Sequence, residues 1–235
     1  MTLLLCLALT ACAAPLQLRW YRDSAEQRAL HLQTYFSASE QLKTMRAGAQ
    51  GKRPWAVVLD ADETVLDNSD YRWQRRHSLR SFTEDSWAEW VKQAEARLLP
   101  GAAAFIDKVQ KLGGLVVIIT NRSESLCQDT KRNLEKWNVR PNALLCRPEG
   151  TGSSKLGRFH AVADGSALGL SAADQGDGAV QVMLYLGDNI NDFPDASQAL
   201  LKGGDAGFSE FGRRYFLLPN PMYGSWEQNP PRNPE

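Results

Sequence analysis

The chain has 235 residues, and its 27 Lys and Arg residues balance its 27 Asp and Glu residues. A formal net charge of zero at pH 7 gives no electrostatic argument for binding a nucleic-acid polymer or a bulk membrane surface. The length suits one α/β domain with a modest insertion, or two small domains, and a hydrophobic fraction of 43% is ordinary for a globular protein with a core.

The first eleven residues are mostly apolar and are followed by Cys12. An apolar stretch that ends in small residues is typical of a secretion signal, and Leu9-Thr10-Ala11-Cys12 resembles a bacterial lipobox, although no Lys or Arg precedes it. We therefore expect residues 1–11 to be a lipoprotein signal peptide and Cys12 to carry a lipid that anchors the protein to a membrane. The alternative is a short buried helix or strand, because the stretch is too brief to span a bilayer.

The next part of the chain is predicted to be helical. Residues 12–54 form an N-terminal helical segment in which 24–47 have apolar residues at helical spacing, and Gly48 and Gly51 end that pattern. A short apolar strand is predicted to follow at 55–60.

A cap insertion is predicted after this strand. Residues 68–99 exceed an ordinary connection between a strand and the next core helix, so we expect them to form a small helical cap over the site. Within the cap, a helix is predicted over 83–97, with Trp87 and Trp90 on one face and Thr83 as its N-cap.

The remainder of the chain alternates helices and strands. Helices are predicted over 102–112 and 123–137, and strands over 115–120, 143–145, 180–187 and 215–218. Residues 163–179 have the composition of a surface loop, and residues 228–235 that of a disordered tail. This alternation predicts an α/β fold in which helices cover both faces of a mostly parallel sheet.

Three predicted strands end in polar side chains suited to phosphate chemistry. The ends are Asp60 with Asp62, then Thr120-Asn121-Arg122, then Gly187-Asp188-Asn189 with Asp192 close behind. Parallel strands bring their carboxyl ends to one edge of a sheet, so we expect these groups to meet there. Two close carboxylates need a cation or a shared proton, and a carboxylate can also attack phosphorus to form an aspartyl-phosphate.

The pattern D-A-D-E-T at 60–64 resembles motif I of the haloacid dehalogenase (HAD) superfamily, most of whose members are phosphatases. The other motifs of that superfamily follow in the same order. Thr120 matches motif II, Lys155 matches motif III, and Asp188 with Asp192 matches the acidic pair of motif IV. The resemblance implies an HAD-like (Rossmann-like) fold with a cap.

Longer segments resemble one particular family within this superfamily. D-A-D-E-T-V-L-D-N-S, T-N-R, G-D-N-I-N-D-F and L-P-N-P-M-Y-G-S-W-E together look like the bacterial class C acid phosphatases, which include outer-membrane lipoprotein 5′-nucleotidases of the lipoprotein e type. The likeness reaches Glu227 and departs at Ala61, where the family usually has a larger apolar residue, and at the expanded loop 163–179. It implies an exported acid phosphatase for monoesters such as nucleoside 5′-monophosphates, in the outer membrane facing the periplasm or in the periplasm itself.

The resemblance also implies how the reaction would proceed. Asp60 would be the nucleophile, while Asp62 would protonate the leaving group and then deprotonate the attacking water. Mg²⁺ would be the cofactor, held by the side chains of Asp60 and Asp188 and by the backbone carbonyl of Asp62.

The remaining motif residues would bind phosphate. Thr120, the backbone amide of Asn121 and Lys155 would hold the phosphoryl oxygens, whose charge must be stabilised in the transition state. Asp192 would orient Lys155 or a water on the metal. From the sequence alone, Lys155 could also be one of many solvated lysines.

Aromatic residues indicate the leaving group. The cap contains Trp73, Trp87 and Trp90, and the late motif contains Tyr223. In the family, one aromatic residue from each region sandwiches a nucleobase or another aromatic group, which points to Trp87 and Tyr223 as the clamp. The alternative is that these rings belong to the core.

Other interpretations remain open at this point. The chain could be a lipid-anchored nucleotide- or haem-binding lipoprotein with little turnover, although His31, His77 and His160 lie in no haem motif. It could also be a phosphotransferase, which uses the same aspartyl-phosphate. In an exported protein Cys127 and Cys146 could form a disulfide, or both could be buried thiols.

Overall fold

The structure, a computed structural model, describes residues 14–48, 53–76, 82–170 and 180–231. The predicted signal peptide, Cys12, His77 and parts of the predicted loop and tail lie outside the described residues. None of the helices in these four ranges has the length and apolar character that crossing a membrane requires.

Seven strands run along the described part of the chain, and five of them build one sheet. They are β1 (Trp55–Leu59), β2 (Leu66–Asp67), β3 (Arg97–Leu98), β4 (Leu115–Ser123), β5 (Ala143–Arg147), β6 (Gln181–Gly187) and β7 (Tyr215–Leu217). The five-stranded sheet has the order β5-β4-β1-β6-β7, and each neighbouring pair is parallel. The predicted parallel sheet is confirmed, whereas β2 and β3 are too short for an apolar pattern to predict.

Seven α-helices lie in the same described ranges. They are α1 (Leu16–Asp23), α2 (Ala25–Gly48), α3 (Ser69–Arg75), α4 (Glu84–Gln93), α5 (Ala102–Lys111), α6 (Cys127–Lys136) and α7 (Leu156–Ala163). Thr83 caps α4 as predicted, because its hydroxyl accepts a hydrogen bond from the backbone amide of Ser86 at 3.3 Å. The helix predicted over 83–97 is too long, because Ala94 adopts a left-handed conformation with φ of 53° and ends it.

Alternate residues of β1 point to opposite faces of the sheet. Val57 and Leu59 pack in an apolar cluster with α2 and α5, whereas Ala56 and Val58 pack in a second cluster with α7. All four side chains are at most 2% exposed. Helices therefore cover both faces of the sheet, as the sequence predicts.

The segment predicted to be the cap, residues 68–99, contains α3, α4 and β3. β3 pairs antiparallel with β2, which lies just before the cap, so the two ends of the insertion are held together. Asp70 on α3 accepts hydrogen bonds from Arg22 on α1 at 2.7 Å and from Arg97 at 2.8 Å. These contacts fix α3 and α4 beside the carboxyl end of β1, where both contribute side chains to one cavity.

A disulfide joins Cys127 to Cys146, with 5.9 Å between their Cα atoms. It links the first residue of α6 to β5, which decides between the two alternatives that the sequence left open. The helix predicted over 123–137 begins only at Cys127, because β4 continues to Ser123 and a short 3₁₀ turn follows it.

Candidate active site

The carboxyl ends of β1, β4 and β6 meet beside a cavity of about 580 Å³. Asp60 directly follows β1, and Asp188 directly follows β6. Thr120 lies in the carboxyl-terminal half of β4. The backbone amide of Asp60 donates to the carbonyl of Leu186 at 2.9 Å, which keeps it against β6. The predicted polar strand ends therefore share one edge of the sheet.

Lys155 is buried between two carboxylates. Its ammonium donates to Asp192 Oδ1 at 2.7 Å and to Asp60 Oδ1, and all three residues are less than a tenth exposed. Burial alone would lower the pKa of Lys155, but the charges of Asp192 and Asp60 together outweigh burial and raise it. Lys155 is thus a fixed cation beside the predicted nucleophile, and the interpretation of a solvated lysine is wrong.

Asp60, Asp188 and Asp192 form an acidic cluster in which one carboxylate oxygen of each lies within 4.8 Å of the others. Burial raises the pKa of Asp188 well above its ordinary value, and the charges of Asp192 and Asp60 add to that rise. Three carboxylates against one ammonium leave an excess of negative charge. This oxygen-rich set fits a hard divalent cation.

Gly187 and Asn189 place Asp192 in this cluster. A Cβ at position 187 would lie 2.3 Å from the Cβ of Asp192, so only glycine fits there without a shift. The backbone amide of Asn189 donates to Asp192 Oδ2 at 2.9 Å, and the Asn189 side chain accepts from the amide of Asn191 at 3.1 Å. Asn189 is therefore an N-cap, and the same cap holds Asp192 beside Lys155.

Asp62 is bound by a buried arginine that the sequence did not assign a role. Arg122 Nη2 donates to Asp62 Oδ1 at 2.7 Å, and Arg122 Nε donates to the same oxygen at 3.0 Å. Asn68 Nδ2 donates to it as well, at 2.8 Å. The sequence did indicate that Arg122 faces the site. Side chains two apart in a strand lie on the same face, and Arg122 is two residues beyond Thr120.

Thr120 and Asn121 are tied to the loop that carries Lys155. Asn121 Nδ2 donates to the carbonyl of Ser153 at 2.9 Å. Arg158 on α7 donates to Asn121 Oδ1 at 2.6 Å and to the carbonyl of Thr120 at 2.5 Å. Arg158, which belongs to none of the predicted motifs, therefore joins motif II to motif III.

One known protein family matches almost the whole chain. The family model described as HAD superfamily, subfamily IIIB (acid phosphatase), matches residues 7–226. The chain belongs to this family. The predicted resemblance to HAD-superfamily acid phosphatases is thereby confirmed.

The chain is also similar to solved structures and to curated relatives. The class C acid phosphatase from Bacillus anthracis matches with a TM-score of 0.77 and 27% identity, and its structure with tungstate bound matches with the same TM-score and 26% identity. Both matches cover 90% of this chain and 85% of the other. Acid phosphatase 1 of Solanum lycopersicum is 33% identical over 97 residues, which span 41% of this chain and 37% of the tomato protein. The Stem 31 kDa glycoprotein of Glycine max is 26% identical over 85% of this chain and 68% of its own length.

The tryptophans of the cap have different environments in this acid phosphatase fold. Trp87 lines the cavity, with the guanidinium of Arg122 at 5.4 Å from its ring centre. Trp90 is buried and donates to Asn68 Oδ1 at 2.9 Å, and Trp73 packs against the guanidinium of Arg22 at 5.0 Å. Trp87 therefore lines the cavity, whereas Trp90 makes a structural contact.

Tyr223 lines the same cavity as Trp87. Its hydroxyl donates to the carboxylate of Glu63, and the guanidinium of Arg72 lies 4.4 Å from its ring centre. Glu63 is fully buried, so this hydrogen bond holds the late loop against the loop that carries Asp62. Tyr223 therefore has a structural partner besides any substrate.

Proposed function

We propose that the protein is an acid phosphatase that hydrolyses phosphate monoesters through an aspartyl-phosphate on Asp60. The buried Asp60–Lys155–Asp192 cluster, which opens beside Asp62 into the cavity, carries this proposal. Membership of the subfamily IIIB acid phosphatases supports it.

In the first step a carboxylate oxygen of Asp60 attacks phosphorus and the ester P–O bond breaks. Asp62 gives its proton to the departing alkoxide, so the alcohol leaves neutral. In the second step Asp62 takes a proton from water, the water oxygen attacks phosphorus and the bond to Asp60 breaks. Inorganic phosphate leaves and both carboxyl groups return to their starting states.

The phosphoryl oxygens need fixed positive groups during both steps. Lys155 supplies a buried ammonium, and Thr120 with the backbone amide of Asn121 would supply neutral donors. Asp192 and Asp60 already hold the Lys155 ammonium in place, so little reorganisation is needed when substrate binds.

The acidic cluster fits Mg²⁺ as the cofactor. The side chains of Asp60 and Asp188 and the backbone carbonyl of Asp62 would hold the ion, whose charge offsets the repulsion between these carboxylates and the substrate dianion. Asp188 is kept in place by Asn220 Nδ2, which donates to its Oδ2 at 2.8 Å.

Nucleoside 5′-monophosphates are the substrates that we propose. The cavity has room for a nucleoside, and it is lined by rings from the cap and from the late loop, including Phe82, Trp87 and Tyr223. Stacking on such rings accepts many bases, so we expect broad nucleotide specificity.

We also propose that the protein is exported and anchored by a lipid on Cys12. The lipobox-like sequence before Cys12 supports the anchor. The disulfide between Cys127 and Cys146 supports an oxidising compartment such as the periplasm.

The test is phosphate release by the purified protein from a nucleoside 5′-monophosphate and from an aryl phosphate, with Mg²⁺ and with EDTA. We expect release from both substrates with Mg²⁺, none with EDTA, and none from the Asp60→Asn variant. Nucleotide binding without release by the folded, Mg²⁺-supplied wild type would contradict the proposal and favour a binding lipoprotein.

A further inference from the structure

The two carboxylate oxygens of Asp62 have unequal surroundings. Oδ1 accepts three short hydrogen bonds, two from Arg122 at 2.7 and 3.0 Å and one from Asn68 Nδ2 at 2.8 Å. Oδ2 has only longer contacts, with Arg122 Nε at 3.2 Å and Thr120 Oγ1 at 3.4 Å. One oxygen is therefore anchored, and the other is left for a further partner.

Arg122 is itself held rigidly. It is 2% exposed, and its Nη1 donates to Thr130 Oγ1 at 3.2 Å while its Nη2 also donates to Asn68 Oδ1 at 3.1 Å. Among the residues that the structure describes, Asp62 is the one carboxylate that forms an ion pair with it. A buried guanidinium with a planar set of donors fixes the orientation of a carboxylate as well as its position.

Asn68, the first residue of the predicted cap, connects this anchor to α4. Its Oδ1 accepts from Trp90 Nε1 on α4 at 2.9 Å, and its Nδ2 reaches Asp62. Trp87, from the same helix, packs against the guanidinium of Arg122. Helix α4 therefore contacts both residues that anchor Asp62 Oδ1.

We propose that Arg122 is a positioning residue for the acid–base step: with Asn68 it anchors Asp62 Oδ1 and thereby directs Oδ2, the oxygen that exchanges the proton, toward the leaving group. This inference rests on the proposed function, because it requires Asp62 to act on the leaving group. Arg122 does not touch the phosphoryl group in this assignment, and its effect on the reaction passes through Asp62.

The leaving group provides the test. An alkoxide from a nucleoside 5′-monophosphate needs a proton as it leaves, whereas 2,4-dinitrophenolate leaves readily without one. For Arg122→Lys we expect kcat/KM for the nucleotide to fall by roughly 10- to 100-fold, within the range of a general acid–base contribution. For 2,4-dinitrophenyl phosphate we expect kcat/KM to fall by less than about threefold. Asp62→Asn should show a larger difference between the two substrates in the same direction.

A matched control is Thr130→Val, which removes the acceptor of Arg122 Nη1 and leaves the contacts of Arg122 with Asp62 and Asn68 in place. We expect that variant to keep the wild-type ratio of the two substrates. Equal losses on both substrates for Arg122→Lys, or no loss on either, would overturn the inference. If Arg122→Lys does not fold, Asn68→Ala decides in the same assay, because it removes the third donor to Oδ1.

The Asp60→Asn variant separates this inference from the proposed function. It must lose activity on both substrates if Asp60 is the nucleophile. If it retains activity, the proposed function is wrong. If it is inactive while Arg122→Lys and Asn68→Ala show no leaving-group selectivity, only the role of Arg122 is wrong.

Discussion

The hydroxyl of Tyr223 donates a hydrogen bond to the carboxylate of Glu63, and so joins two loops that are 160 residues apart in the chain. Glu63 is fully buried and also accepts from the backbone amide of Asn68 at 2.8 Å. Burial raises the pKa of Glu63 well above its ordinary value, and the charges of Asp62 and Asp188 raise it further. The loop that closes one side of the cavity thus depends on a buried acid next to Asp62.

Tyr223→Phe is therefore expected to destabilise the protein. The ring is kept, but Glu63 loses a donor and remains buried, which costs about 1–3 kcal/mol. The free energy of unfolding in urea measures this loss. Tyr215→Phe is the matched control, since it removes a hydroxyl that donates to the carbonyl of Pro194 at 3.1 Å, away from Glu63. A stable Tyr223→Phe variant with a raised KM for nucleotides would contradict an anchoring role.

Lys155→Met should abolish activity and destabilise the metal-free protein. It leaves Asp60 and Asp192 buried beside each other without their shared cation, and breaking a buried ion pair typically costs about 3–5 kcal/mol. Urea unfolding in EDTA measures the loss. Lys131→Met removes an exposed lysine 3.9 Å from Glu135 and should change stability by less than about 0.5 kcal/mol. If the two variants are equally stable, the buried ion pairs of Lys155 do not stabilise the protein.

The stability of the metal-free protein should fall as pH rises from about 4 to about 7. Burial raises the pKa of Asp60 to about 7 despite the opposing charge of Lys155, and Asp188 is raised too. In the unfolded chain an Asp side chain has a pKa of about 3.9. In that pH range the folded protein therefore retains protons that the unfolded chain has lost, and its stability falls as pH rises. Thermal unfolding in EDTA across this range is the measurement.

Mg²⁺ should reverse this trend, since it binds carboxylates only when they have lost their protons. The rise in Tm on adding Mg²⁺ is expected to be larger at pH 7 than at pH 5. Asp188→Asn is the matched variant. It should be more stable than wild type in EDTA at pH 7, because it removes the cost of burying a carboxyl group that is ionised in the unfolded chain, and it should lose the Mg²⁺-induced rise. A metal response unchanged in Asp188→Asn would show that the ion binds elsewhere.

Reduction of the disulfide should weaken the fold without touching the cavity. Cys127 and Cys146 are 19 residues apart, and closing a loop of that length stabilises a protein by about 3 kcal/mol in the chain-entropy description. The urea midpoint with and without dithiothreitol measures it, with the Cys127→Ser/Cys146→Ser variant as the control that should not respond. An unchanged wild-type midpoint after complete reduction would argue that the link is energetically neutral.

The sequence alone determined the fold class and the set of motif residues. Parallel strands place their carboxyl ends at one edge, so aspartates after β1 and β6 had to meet, and Asp60 and Asp188 do. Local chemistry was equally informative at Thr83, whose hydroxyl caps α4 because the capping contact spans only three residues. Such features follow from strand order and from neighbours in the chain.

Tertiary structure alone decided which partner each motif residue has. Arg122 and Asp62 are 60 residues apart, and Tyr223 and Glu63 are 160 apart. The spacing of Thr120 and Arg122 indicates which face of β4 Arg122 occupies, but no pattern in the chain names the partner of Arg122 or of Tyr223. The cysteine pair is of the same kind, because its spacing allowed a disulfide or two thiols. These contacts depend on how helices and loops pack around the sheet, and a linear pattern specifies the faces that pack but not the atoms that then meet.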